Sequence, residues 1–279
     1  MNPDFLVERA RILRTVRAFF DSRGFVETET PVRIPAPAPE PHIDCPASGD
    51  RFLRASPELQ MKKLLARGFS KIYQIGPCFR EGENGDRHSP EFTMLEWYRA
   101  DAGYAEIAED ASALLREILS DTPERIPVVP VREAYMRFCG WDPFARWDQD
   151  RFDEDMALKV EPSLPRGAVF LSGYPAQAAS LSRLSPGDPA VAERWELYYD
   201  GMELANAFSE LVDPSEQRKR FEKAREERRA AGEADYPLDE DFLGILGSVP
   251  PSGGAALGID RLVMAATGAR SINDVRAGI

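Results

Sequence analysis

Glu96 lies in the segment EFTMLEWYR. Strand alternation puts Phe92, Met94, Glu96 and Tyr98 on one face, and Thr93, Leu95 and Trp97 on the other. Both faces are largely apolar, so the strand is an interior one. A carboxylate there is costly unless it meets a cation or hydrogen-bond donors. It is either half of a structural ion pair with an internal arginine or the counter-charge of a cationic ligand. A second pair of acids, Glu196 and Glu203, flanks Asp200-Gly201, a two-residue hairpin signal. With that turn, Tyr198 faces Glu203 and Glu196 faces Ala205. The two glutamates become same-face diagonal neighbours with backbones roughly 7–8 Å apart. They form either a solvated acidic face or a seat for one hard divalent ion, or for two ions bridged by phosphates. Asn206, Phe208 and Glu210 fall on the face opposite Glu203 under strict alternation. They join it only if a bulge falls near Ala205.

Two arginines could meet phosphate. Arg80 follows a strand and opens the polar loop REGENGDRHSP, and Arg261 opens the last helix after a run of glycines. The guanidinium fork binds two oxygens at once, and glycines before a helix N-terminus suit an anion. The segment is neither GxxxxGK[ST] nor GxGxxG. Taken singly, each arginine reads equally as a surface residue or a structural partner.

The elements that position these residues follow from hydrophobic period. Phe5, Leu6, Ile12, Leu13, Val16, Phe19 and Phe20 mark a first helix, capped by Asn2 and Pro3 and ended at Gly24. A short strand, residues 25–30, leads into the proline-rich loop PVRIPAPAPEP. Ser56-Pro57 opens a helix that runs to Gly68. Strands are expected over residues 71–79 and 91–99, then a helix to about Leu119. Residues 121–167 read as a connecting region with some helix. The run VFLSGYP is a strand, and the hairpin comprises residues 195–199 and 202–211. Asp213-Pro214-Ser215-Glu216 is a capping box that opens a charged helix to Gly232, read as a solvated face. The segment SGGAALGIDRLVMAATG passes from strand into helix. The expected class is α+β, a mostly antiparallel sheet with helices around it. Strands and helices do not alternate as a doubly wound fold requires.

Composition narrows the function. The chain has 279 residues, 35 Lys plus Arg against 47 Asp plus Glu, and net charge −12. That balance argues against a general nucleic-acid binder and against an anionic membrane surface. No apolar run approaches the roughly 18–20 residues of a membrane span, and the start MNPDFLVERA lacks a signal pattern. The three cysteines, Cys45, Cys78 and Cys139, are odd in number and far apart, which points to a reducing cytoplasm. With two histidines, His42 and His88, and neither CxxC nor HExxH, a zinc site is not expected; any metal should be a hard cation held by carboxylates.

Taken together, these segments resemble a class II aminoacyl-tRNA synthetase catalytic core of the lysyl type. They resemble more closely its truncated paralogues, the GenX/PoxA/EpmA family of elongation factor P lysine ligases. The opening helix and strand through Pro31 are similar to motif 1, CFREGENGDRHSPEFTMLEWYR to motif 2, GGAALGIDR to motif 3, and WELYYDGMELANAFSEL to the metal and amino-acid segment. The resemblance covers nearly the whole chain. It implies a class II synthetase-like antiparallel sheet flanked by helices, with residues 1–279 as a single catalytic domain. Motif 1 stands at the start, with no anticodon-binding domain before it. Ala256 stands where lysyl-tRNA synthetases carry glycine, which in the paralogues reshapes the pocket towards β-lysine.

The resemblance also implies roles. Arg80 would bind the α-phosphate and Arg261 the γ-phosphate. Glu81, Arg87, His88, Ser89, Leu204 and Gly258 would lie near ATP, and Phe92 would stack on adenine. Glu196 and Glu203 would hold Mg2+. Ser56, Pro57 and Glu58 match the SPE that contacts the amino acid. Glu96, Tyr98, Asn206, Phe208, Glu210 and Ala256 would line its pocket. The implied reaction activates (R)-β-lysine, or lysine, as an aminoacyl-adenylate and transfers it to a lysine side chain of elongation factor P. The implied protein is a cytoplasmic homodimer, with tRNA disfavoured as partner. Two alternatives stay open. One is an adenylating ligase for another amino acid or acceptor. The other is a non-catalytic paralogue that senses an amino acid or nucleotide; it would be favoured by loss of Arg80, Arg261 or the hairpin glutamates, and all are present. One departure stands out: where the family reads Arg-x-Glu, this chain reads Arg80-Glu81-Gly82-Glu83, leaving Glu81 or Glu83 to replace the missing acid. The stretch between the helix after motif 2 and the hairpin also looks shorter than in the family.

Overall fold

In the computed structural model, which describes residues 2–41 and 43–277, helix α1 runs Pro3–Ser22 as its apolar stripe predicts. Asn2 Oδ1 accepts from the Asp4 amide at 3.0 Å, and Pro3 fills the first turn. Phe20, on its buried face, stacks on Tyr73 and tilts against Trp97. Strand β1 (Val26–Glu27) pairs in parallel with Ile72–Tyr73. It is shorter than the expected strand over 25–30. The Gln74 side chain takes the Thr30 amide at 3.0 Å, and Pro31 then has no donor to offer. The proline-rich segment is not wholly loop: β2 (Arg33–Ile34), β3 (Ala47–Ser48) and β4 (Arg51–Leu53) form a small antiparallel sheet in the order β2-β4-β3.

Helix α2 (Glu58–Leu65) starts one residue later than expected, with Pro57 at the cap and Ser56 Oγ accepting from the Glu58 amide at 2.9 Å. Strands β5 (Lys71–Phe79) and β6 (Glu91–Ala100) pair antiparallel, with Gln74 opposite Glu96 and Cys78 opposite Phe92.

Contact density divides the chain into two units. The first holds the residues up to Asp101, Leu211–Ser252 and the residues from Ala256 on; the second holds Ala102–Glu210 and Gly253–Ala255. In the second unit, α3 (Tyr104–Ile118) lies against the later strands. Then follow β7 (Val128–Pro130), α4 (Val131–Phe138) and α5 (Gln149–Asp155), which continues through a π-turn (Met156–Val160) into the short α6 (Glu161–Ser163). Strands β8 (Ala168–Pro175), β9 (Leu184–Ser185), β10 (Asp188–Tyr199) and β11 (Met202–Ser209) complete it. Strand β7 pairs parallel with β8, while β8, β9 and β11 each pair antiparallel with β10.

Residues 121–167 are more than a connection. Val131, Tyr135, Phe152 and Val160 are buried together with Val169, Leu171 and Tyr174 of β8. Tyr135 stacks on Phe152 with centroids 4.6 Å apart and donates to the Phe152 carbonyl at 2.6 Å. Helices of seven or eight residues show barely two apolar periods, and the π-turn shifts the phase, so periodicity could not find them.

The first unit resumes with α7 (Pro214–Ala231), α8 (Glu240–Ile245), the two ends of β12 (Ser252–Gly258), whose Gly253–Ala255 belong to the second unit, and α9 (Ile259–Thr267). Asp213 caps α7 by accepting from the Ser215 and Glu216 amides, and Gly232 ends it with positive φ. The helix is not only a solvated face, because Gln217, Phe221 and Arg228 are buried. Within this unit α9 packs on β6 and on α1. Buried Asp260 makes that junction: it accepts from the Thr93 amide at 2.7 Å and from Arg9 at 2.5 Å, while Arg9 also donates to Thr93 Oγ1 at 2.8 Å. Asp260→Ala strands a guanidinium and a backbone amide together. It should lower stability by about 3 kcal/mol, read as a fall in the urea midpoint; an unmoved midpoint would show that the junction carries no stability.

Candidate active site

The site residues fall in both units. In the first unit, β6 carries Glu96 with 1% of its surface exposed. Its Oε1 accepts from Ser56 Oγ at 2.6 Å and its Oε2 from the Tyr98 hydroxyl at 2.8 Å. Burial, then the charge of Glu58, pushes its pKa up to about 7. Buried Arg54 donates from Nη1 to Thr30 and from Nε to the Pro77 carbonyl, with no ion pair to Glu96. Glu96 is therefore not half of an ion pair with Arg54; its two hydrogen bonds come from neutral hydroxyls. Ser56 and Glu58, beside Pro57 at the start of α2, line a groove together with Glu40 and Ile43. Tyr98 is buried beside Glu96.

The polar loop begins at Arg80. Its guanidinium lies over the Phe92 ring at 5.2 Å, Nη1 is 3.5 Å from Glu83, and its Nε is buried without a hydrogen-bond partner. Gly82 has φ +80, a turn conformation that glutamate adopts poorly. Glu83 is the acid that reaches Arg80, while Glu81 is exposed and gives its amide to the Asp44 carbonyl at 2.7 Å. The loop closes back on α9. Arg261 Nη2 lies 2.7 Å from His88 Nε2, and Arg261 Nε donates to the Arg87 carbonyl at 3.2 Å. Burial and then the Arg261 charge lower the His88 pKa, so the imidazole is neutral and accepts. Ser89 is buried and accepts from Arg276 at 2.8 Å. Gly258 stands at the N-cap of α9 with negative φ, and Ala256 is half-buried in β12.

In the second unit the hairpin turns at Asp200 and Gly201, both with positive φ, as its dipeptide requires. Tyr198 pairs with Glu203 as expected. The register then shifts, so Leu197 pairs with Ala205 and Glu196 with Asn206, not with Ala205. Leu204 is the extra residue. This is the bulge that the shared-pocket reading demanded, one position before Ala205. It carries Asn206 and Phe208 onto the face of Glu203, across from Glu196 and Arg194. Arg194 binds both sides of that face: Nη2 donates to Glu196 at 2.7 Å and Nε to Asn206 Oδ1 at 3.1 Å. The Tyr198 hydroxyl donates to the other oxygen of Glu196 at 2.6 Å. Glu196 and Glu210 are buried, so the hairpin does not present a solvated acidic face. Burial raises the Glu196 pKa; Arg194 opposes the shift and the charge of Glu203 adds to it.

Among the described residues, no three His, Cys, Asp or Glu side chains cluster to hold a metal. The hairpin instead offers an oxygen-only set, Glu196, Glu203 and Asn206, with the charge of Glu203 adding to the cost of burying Glu196. A hard cation held there would relieve that cost. Arg194, Asp260 and Arg9 were not singled out by sequence. Arg194 had a local signal, two residues before Glu196 on the same strand face; Arg9 and Asp260 are 251 residues apart and had none. His42 lies outside the described residues.

The chain matches the tRNA synthetases class II (D, K and N) over residues 2–277. It is 37% identical to the elongation factor P–(R)-β-lysine ligase of Proteus mirabilis, with 98% of this chain and 94% of that protein covered. The ligase of the same name from Edwardsiella ictaluri is 38% identical over the same shares. That from Haemophilus influenzae strain PittGG is 36% identical over 97% and 93%. The match to the first spans 308 positions against 279 residues here, so this chain is the shorter within the matched span. On these likenesses the chain belongs to the class II tRNA synthetases of the D, K and N group, within the family of elongation factor P–(R)-β-lysine ligases.

Proposed function

We propose that this protein is an ATP-dependent ligase that activates (R)-β-lysine as its adenylate and transfers it to a lysine side chain of elongation factor P. The observation that carries this reading is Glu96, a carboxylate shut away from water and bonded to the hydroxyls of Ser56 and Tyr98. Such a group needs a cation, and an amino acid with two ammonium groups is one. Ser56, Glu58, Tyr98 and Ala256 are read as amino-acid contacts; for Asn206, Phe208 and Glu210 the same role rests on the family resemblance alone. The amino-acid carboxylate attacks the α-phosphorus in line and pyrophosphate leaves. Arg80 gathers the charge that develops at the α-phosphate, and its buried, unpartnered Nε suits an anionic oxygen. Arg261 takes the γ-phosphate, with neutral His88, Arg87, Ser89, Gly258 and the Leu204 backbone at the nucleotide and Phe92 under adenine. Glu83 fills the place of the absent motif 2 acid. Mg2+, held by Glu196 and Glu203, neutralises phosphate charge when bound. In the second step the acceptor amine attacks the acyl carbonyl, an amide forms and AMP leaves.

The span 1–279 is read as one catalytic domain, because one family match runs from 2 to 277; Met1, Gly278 and Ile279 lie outside the described residues. A protein acceptor suits the net charge of −12 better than tRNA. No described helix is long and apolar enough to cross a membrane, and a cytoplasmic place of action fits three free thiols. A homodimer through motif 1 suits the exposure of Val7 on α1 and Val26 on β1.

The test is ATP–pyrophosphate exchange with Mg2+ across (R)-β-lysine, (S)-β-lysine, L-α-lysine and other amino acids. Preference for (R)-β-lysine, followed by labelling of elongation factor P, is the expected result. Preference for another amino acid would keep the chemistry and change the substrate. A folded, ATP-binding protein that exchanges with none would be a sensor and not a ligase.

A further inference from the structure

Between β2 and β3 the described part of residues 35–46 has no regular strand or helix. It is gripped from the far end of α7. Arg228 is 1% exposed, and every nitrogen of its guanidinium is engaged. Nη1 donates to the Glu40 carbonyl at 2.8 Å and the Ile43 carbonyl at 3.1 Å, and Nη2 to the Asp44 carboxylate. Nε donates to the Ala234 carbonyl at 2.8 Å, and Glu233 completes the ion pairing at 3.1 Å. The guanidinium also lies over the Tyr236 ring at 4.7 Å. The Tyr236 hydroxyl accepts from the Cys45 amide at 2.8 Å and donates to Asp44 at 3.2 Å.

A fully buried guanidinium is expensive unless its donors are all matched. Here the loop carbonyls and Asp44 supply much of the match, and arginine's rigid fork can hold several acceptors at fixed angles where lysine cannot. Two of the loop residues so held, Glu40 and Ile43, line the groove that also contains Ser56 and Glu58. Asp44 also has a backbone tie, since its carbonyl accepts from the Glu81 amide next to Arg80.

We propose that Arg228 is a positioning residue for the amino-acid groove. It fixes the loop wall carrying Glu40 and Ile43, so that the groove beside Ser56 and Glu58 is preformed before the amino acid arrives. This rests on the reading of that groove as the amino-acid site. The backbone tie between Asp44 and Glu81 is not made by the Arg228 side chain, and it remains to hold the Arg80 side of the loop when Arg228 is lost.

Arg228→Met, Arg228→Lys and Asp44→Asn test it, each by exchange kinetics and by hydrogen exchange of peptides within residues 36–45. Misplacing a binding wall by an ångström can cost about a hundredfold. Arg228→Met should therefore raise the KM for (R)-β-lysine by about tenfold or more, leave the KM for ATP within about twofold, and speed amide exchange in the loop. Arg228→Lys should fall between. Asp44 is partly exposed, so Asp44→Asn should fold even where the buried substitution does not, with a smaller shift in the same direction. An amino-acid KM within about twofold of wild type in the folded variants, or equal changes in both KM values, would make Arg228 purely structural and overturn the proposal. So would unchanged hydrogen exchange in the loop. Wild-type protein that exchanges with no amino acid overturns the ligase reading instead, while loop hydrogen exchange still reports on the Arg228 clamp.

Discussion

Arg261→Ala is expected to abolish amino-acid-dependent pyrophosphate exchange, by about a thousandfold or more, in a protein that unfolds where the wild type does. Loss of one preorganised donor to a developing charge costs about a hundred- to a thousandfold, and arginine supplies two donors and a full charge. Stability should not follow. Arg261 is half-exposed on the first turn of α9, and its partners include the Arg87 carbonyl and the ring of His88, both in a surface loop. The junction that holds α9 is made one residue earlier, by Asp260 with Arg9 and Thr93. Arg261→Lys keeps the charge and loses the fork, and should recover only part of the rate. Exchange at the wild-type rate in Arg261→Ala would overturn the assignment of the γ-phosphate to this helix. The neutral state of His88 belongs to the same design: its pKa is held below the ordinary 6.5 by burial and by Arg261. A second cation beside Arg261 would otherwise compete for its place at the phosphate.

Local chemistry was readable in the sequence wherever the residues that decide it are neighbours. The Asn2 cap, the Asp213 cap and the Asp200-Gly201 turn each depend on a few adjacent residues, and each appears as expected. The hairpin shows how far such reading extends. The turn fixed the pairing of Tyr198 with Glu203, but beyond it the extra residue Leu204 moved every later partner by one. Only the demand that Asn206 share a face with Glu203 pointed to the bulge. Gly82 is a similar case: it takes a positive φ that glutamate adopts poorly, and Glu83, one residue on, reaches Arg80. Long-range partners left no local trace. Arg228 lies in a helix whose composition reads as solvated, yet the carbonyls that its Nη1 binds sit about 185 residues earlier in the chain. The aromatic core of residues 121–167 was missed because Tyr135 and Phe152 belong to different short helices and Trp141 to the connection between them.

Glu96→Gln should make the protein more stable at pH 8 and nearly inactive. The carboxyl has a pKa of about 7 in the folded chain against an ordinary 4.5. The folded state thus prefers the protonated form. The resulting contribution to stability is fully present below about pH 4.5 and is lost as pH rises through 7. Above that, the ionised group costs about 3 kcal/mol. Glutamine removes the titration while keeping an acceptor for the Ser56 hydroxyl, and its amide can donate to the Tyr98 oxygen. Between pH 5 and 8 its stability should fall less than that of the wild type, the difference between the two curves widening as pH rises through 7. Binding runs the other way. A cationic substrate needs the ionised form, so the wild-type KM for the amino acid should fall as pH rises from 6 to 8. In Glu96→Gln it should be about a hundredfold higher and independent of pH, since a buried charge pair broken on one side costs about 2–5 kcal/mol. A variant with unchanged KM would place the substrate ammonium elsewhere. One that loses stability at pH 8 would mean that the Glu96 charge is already compensated in the free protein. If both expectations hold, the cost of burying Glu96 is borne by the fold and recovered when the amino acid binds.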